Sequence, residues 1–113
     1  MVLVAAMLAT APTMAFAHAH LNSASPGENA TVAAPEQVSL GFTQGLEKSF
    51  SSIEVRDPSG KRVDNGTVRP ETDPARLAID LPKLAAGIYT VIWHATSVDT
   101  HRTEGSFTFT VTP

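Results

Sequence analysis

Along most of the chain, apolar and polar side chains alternate one for one. Val38, Leu40 and Phe42 are interleaved with Ser39, Gly41 and Thr43, and Ile53 and Val55 with Glu54 and Arg56. Leu77, Ile79 and Leu81 are separated by Ala78 and Asp80; Phe107, Phe109 and Val111 alternate with Ser106, Thr108 and Thr110. Successive side chains of an extended segment point to opposite faces, so each run predicts a strand with one buried face. The stretch Ile88-Tyr89-Thr90-Val91-Ile92-Trp93 is more continuously apolar, and the expectation there is a central strand covered on both faces. A 3.6-residue period shows only briefly, from Leu46 to Phe50.

The connections carry turn chemistry. Asp57-Pro58-Ser59-Gly60 has the Asp, Pro and Gly positions of a type I turn, and Asp64-Asn65-Gly66 supplies an Asn-Gly pair that tolerates positive φ. Pro70 to Pro74 is a polar loop, and Pro82 to Gly87 is a further connection. Ala86-Gly87-Ile88-Tyr89 has the form of a tyrosine corner, in which a Tyr hydroxyl ties a strand to the connection before it. About seven short strands with turns every eight to twelve residues predict an all-β fold, a β-sandwich or barrel.

The first seventeen residues break this pattern. Met1 to Ala17 has no charged side chain and ends in Ala15-Phe16-Ala17, the small-x-small sequence accepted by signal peptidases. The segment is too short and too interrupted, by Thr10, Pro12 and Thr13, to span a bilayer, and no later segment is apolar enough to do so. The expected organisation is a signal peptide over residues 1–17 and one domain over 18–113, exported and not membrane-embedded. The leader lacks the Lys or Arg that usually opens such a segment. A start codon further upstream, or a sequence that begins inside the signal, accounts for this.

Composition then narrows the chemistry. The eight basic and eleven acidic residues all follow the leader and are scattered, with a net charge of −3, which argues against nucleic acid as a partner. There is no cysteine, and Met1, Met7 and Met14 all lie in the leader. From His18 onward the chain therefore holds neither thiolate nor thioether, the soft donors that select copper(I). A copper site built here uses nitrogen and oxygen and suits copper(II).

Those donors sit at His18, His20, His94, Asp99 and His101. Cleavage after Ala17 would leave His18 with a free α-amine, and amine and Nδ1 together close a six-membered chelate ring. The amine titrates near 7.7–8.0 in model peptides, so metal must displace a proton and affinity should fall in acid. Asp99 and His101 are two residues apart, which puts them on one side of an extended segment; as a plain polar turn, Asp99 would accept backbone hydrogen bonds and His101 would face solvent. His18, Asp99 and His101 form one candidate copper(II) site. His20 offers another: His18-Ala19-His20 can wrap a metal in a square plane through amine, two deprotonated amides and the third-residue imidazole. His94 falls on the face opposite Trp93 and reads as structural or surface-exposed. No catalytic constellation competes, since no serine lies in a nucleophile elbow, no phosphate loop is present, and Glu47, Glu54 and Glu104 have no evident partner.

At these residues the chain resembles the CopC family of exported copper-binding proteins. The resemblance runs from His18-Ala19-His20-Leu21 through Ser25-Pro26, Ala34-Pro35 and Val38-Ser39-Leu40-Gly41-Phe42-Thr43. It is strongest over Leu84 to Trp93, Ser97-Val98-Asp99-Thr100-His101, and Gly105-Ser106-Phe107-Thr108-Phe109. It implies a Greek-key β-sandwich, cupredoxin-like or immunoglobulin-like, and copper(II) ligation by the amine and imidazole of His18, by His101 and by Asp99. A glutamate that some members place near the copper matches Gln44 here, which is not counted as a ligand. The methionine-rich copper(I) site of other members has no counterpart. The resemblance further implies a periplasmic or otherwise extracytoplasmic carrier or buffer in copper tolerance or uptake, beside a CopD-type inner-membrane partner. Two other readings remain open at this point. A histidine-brace copper oxygenase would need a flat aromatic surface, yet of seven aromatic residues Phe16 lies in the leader and most others alternate into the core. A metal-free immunoglobulin-like interaction module would not depend on a free N-terminus.

Overall fold

A computed structural model of the chain describes residues 19–69 and 71–113. The expected leader and His18 lie outside the described residues. Within them the chain forms β1 (Leu21–Ser25), β2 (Thr31–Val32), β3 (Gln37–Phe42), β4 (Ser52–Arg56), β5 (Val68–Arg69), β6 (Arg76–Asp80), β7 (Gly87–Thr96) and β8 (Arg102–Val111). The helical period after Leu46 yields one 3-10 turn, Lys48–Phe50. The strands make two four-stranded sheets, ordered β1-β3-β6-β5 and β2-β8-β7-β4, and the chain crosses between them repeatedly. All pairings are antiparallel except that of β2 with β8. This is the β-sandwich that the alternation predicts.

The core is the set of inward positions. Val38, Leu40 and Phe42 of β3 and Leu77 and Ile79 of β6 meet Ile53 and Val55 of β4, Tyr89, Val91 and Trp93 of β7, and Phe107, Phe109 and Val111 of β8. Phe42 packs edge-on against Trp93 across the sandwich, with ring centroids 5.2 Å apart. Behind the indole lies Gly105, the cross-strand partner of Trp93, where an added Cβ would fall 2.6 Å from a ring carbon. Glycine is what lets the indole lie flat on β8 at the end of the sheet that leads to the Asp99–His101 turn.

β7 departs from expectation. It is central in its sheet, but only one face is covered: Tyr89, Val91, Trp93 and Ala95 are buried, whereas Ile88 is 58% exposed and His94 is exposed. Continuous hydrophobicity here reflects β-branched residues tolerated on a solvent-facing sheet surface, not a second covering layer. The turns form as read. Gly60 N–H donates to Asp57 O at 2.9 Å, Gly66 takes φ +82°, and the Tyr89 hydroxyl donates to Ala85 O at 2.7 Å as the tyrosine corner requires.

The outer edge of β4 is closed by the turn after it. Asp64, its side chain fully buried, accepts the Val55 N–H at 2.8 Å and the Gly66 N–H at 2.7 Å and pairs with Arg62 Nε at 2.9 Å. Burial pulls this carboxyl upward, but the hydrogen bonds from Arg62, Val55 and Gly66 outweigh it and hold Asp64 below its ordinary value.

Candidate metal centre

β7 and β8 form a long hairpin, and its closed end carries the Asp-x-His pair. Ser97 N–H donates to His101 O at 2.9 Å and Thr100 N–H to Ser97 O at 2.8 Å, which makes Val98-Asp99-Thr100 a three-residue loop. Such loops end in a left-handed residue, and Thr100 takes φ +72°. A β-branched side chain rarely adopts this conformation. The segment Asp99 to His101 is therefore the tight turn of the alternative reading and not an extended segment, and the two side chains converge because the chain folds back.

Ser97 organises that turn. Its side chain is fully buried, its hydroxyl donates to Asp99 Oδ1, and it accepts the His101 backbone N–H at 3.3 Å. Asp99 Oδ2 then lies 3.2 Å from His101 Nδ1, with both side chains partly exposed. The Ser97 hydrogen bond, followed by that of His101, holds the Asp99 carboxyl below the usual 3.8, so it is ionised at neutral pH. Metal–donor bonds of about 2.1 Å that subtend about 100° span the same 3.2 Å, so one ion fits both donors as neighbouring ligands. The same separation suits a carboxylate that orients a ligating imidazole through its other nitrogen. Among the described residues no third histidine, cysteine, aspartate or glutamate joins the pair.

The described chain begins beside this turn. Ala19 is fully buried, and its carbonyl accepts the Thr103 hydroxyl at 2.6 Å, two residues from His101. His20 is bound through its main chain to Thr43: its N–H donates to Thr43 Oγ1 and its carbonyl accepts the Thr43 N–H, each at 2.9 Å. Three residues further on, Leu46 bridges to Ser97, and Val98 N–H donates to Gly45 O at 3.1 Å. The segment Thr43–Leu46 thus ties the start of the domain to the Asp-x-His turn, and Gln44 sits within it, following β3. His94 lies on the outer face of β7, opposite Glu104. Thr43, Thr100 and Thr103 were not singled out from sequence, where a threonine next to a turn is too common to signal positioning.

A family model described as the CopC domain matches residues 21–112. The chain is 40% identical over 99 residues to protein YobA of Escherichia coli strain K12, covering 85% of this chain and 80% of that one. Among solved structures it is similar to CopC from Methylosinus trichosporium OB3b, with TM-score 0.80 and 41% identity over 85% of this chain and 95% of the other. It is also similar to PcoC, a methionine-rich copper resistance protein from Escherichia coli, with TM-score 0.76 and 37% identity over 85% of this chain and all of the other.

Proposed function

Because the chain belongs to the CopC family, a family of copper resistance proteins, we propose that it is an exported copper(II) carrier or buffer whose single tight site joins its mature N-terminus to the β7–β8 turn. In this reading a signal peptidase removes residues 1–17 and the protein works in the periplasm or an equivalent space, beside a CopD-type membrane partner. No helix among the described residues is long and apolar enough to cross a membrane.

The observation that carries the reading is the anchoring of Ala19 on Thr103. Ala19 is thereby held on a residue two positions from His101, and in this reading the residue before it completes the site with Asp99 and His101. Amine and imidazole of His18, imidazole of His101 and carboxylate of Asp99 then make an N/O set suited to tetragonal copper(II). The competing His18-Ala19-His20 chelate requires the Ala19 and His20 amides to be deprotonated. The fold has instead committed the His20 N–H to Thr43 and the Ala19 carbonyl to Thr103, which favours the longer-range site.

The chain contains no methionine beyond Met14, unlike the methionine-rich PcoC, so a second, copper(I)-selective thioether site is not part of this proposal. Loading and release without a soft ligand fit a carrier better than an electron-transfer protein, and we assign no catalytic role. A titration with copper(II) tests the reading: the protein starting at His18 should bind one equivalent tightly, and the same protein extended by Ala17 should lose at least about a hundredfold in affinity, since its His18 amine becomes an amide. Equal affinity for both forms refutes a site that uses the N-terminus.

A further inference from the structure

We infer that the outer face of the β7–β8 hairpin carries a second, weaker site for copper(II) or a similar divalent ion, formed by His94 and Glu104. It goes beyond the carrier reading and needs neither His18 nor His101. His94 and Glu104 are directly opposite in the register, and Nε2 of the imidazole lies 3.0 Å from Oε2 of the carboxylate. Two metal–donor bonds of about 2.1 Å at a right angle span about 3.0 Å, the arrangement of adjacent ligands in a tetragonal ion. The register of β7 and β8 sets the two residues directly opposite each other before any metal arrives.

The surroundings leave room for the rest of a coordination shell. The pair opens onto a groove of about 570 Å3 that is also lined by Thr96, Arg102 and the ring of Phe50. Both donor side chains are more than half exposed, so water can fill the remaining positions. As an ion pair alone such an exposed contact contributes little to stability. Arg102, on the same face, opposes a second cation and sets the affinity below that of a four-donor site. The pair stands two residues further from the hairpin's closed end than the last strand pair, Thr96 with Arg102, roughly 7 Å along the sheet. A cation held there is close to the Asp99–His101 turn while leaving its donors untouched.

The test is a copper(II) titration of the protein starting at His18, in a non-coordinating buffer, followed by calorimetry and electron paramagnetic resonance. Two events are expected, the weaker with the signature of a single imidazole nitrogen. His94→Ala should abolish the weaker event and leave the tighter one; Glu104→Gln should weaken it about tenfold or more. Arg102→Gln should tighten it. All three positions are exposed, so folding is not at stake. His101→Ala should spare the weaker event, and combining it with His94→Ala should remove it. A weaker event that survives His94→Ala, or its absence at millimolar copper, overturns the second site. Loss of the tight event alone from the unmodified protein counts against the carrier site and leaves this one standing.

Discussion

Ser97 holds both residues of the candidate centre's turn in place. One buried hydroxyl donates to the Asp99 carboxylate and accepts the His101 N–H, so it favours the ionised acid and fixes the histidine's backbone together. Ser97→Ala should raise the Asp99 pKa toward 3.8, a shift visible in an NMR titration of the carboxyl. Outer partners of this kind change metal affinity by about 10–100-fold when removed, and copper(II) binding should weaken by that order. The acid limb follows in sign. A carboxyl that titrates below its ordinary value in the folded state stabilises the fold fully above about pH 4, and this contribution disappears as pH falls through the lowered value. Asp99→Asn should therefore lower the stability of the metal-free protein by a constant amount above about pH 4, a difference that vanishes in stronger acid.

At the scale of the element, the turn after β4 does for the sheet edge what Ser97 does for the site. Asp64 satisfies a strand N–H that would otherwise face solvent or a second chain. Asp64→Ala leaves that donor and Arg62 without their acceptor, and should destabilise by about 2 kcal/mol, lowering the melting temperature by roughly 10 °C. Strands β4 and β8 were legible because their alternation encodes burial directly; β3 and β6 kept their apolar positions inside but buried Gly41 and Ala78 as well, and the tyrosine corner was legible because its Tyr has a fixed sequence offset. β7 was only half legible: its uninterrupted apolar run does not say that Ile88 and Ile92 face outward, because β-branched residues suit either face of a sheet. The Asp99 and His101 pairing was legible from spacing, but for the wrong geometric reason. Nothing in Thr100 announces a left-handed conformation, which in a threonine is imposed by the hairpin register around it.

Across the whole molecule the central feature is the closure of the first described residues, Ala19 and His20, onto the last hairpin and the segment that braces it. Thr103, near the start of β8, holds Ala19; Thr43, at the end of β3, holds His20; and Thr43–Leu46 runs on to brace the turn. Sequence order conceals this juxtaposition, since the residues involved are separated by up to 84 positions. In the unfolded chain His18 and His101 are not held together, so the proposed site would bind copper(II) in the folded state selectively. Saturation at a thousand times the dissociation constant should add about 4 kcal/mol and raise the melting temperature by roughly 15–30 °C. A copper-independent melting temperature would argue for a site the unfolded chain also possesses, such as the local His18-Ala19-His20 chelate.

The most direct measurement compares electron paramagnetic resonance of the one-equivalent copper(II) complex of the protein starting at His18 with that of its His101→Ala and His20→Ala variants. The long-range site predicts nitrogen hyperfine structure that loses one imidazole coupling in His101→Ala, together with a loss of affinity of orders of magnitude. It also predicts an unchanged spectrum in His20→Ala. The opposite result, a spectrum indifferent to His101 and abolished by His20→Ala, would contradict it and place the copper on the first three residues of the mature chain.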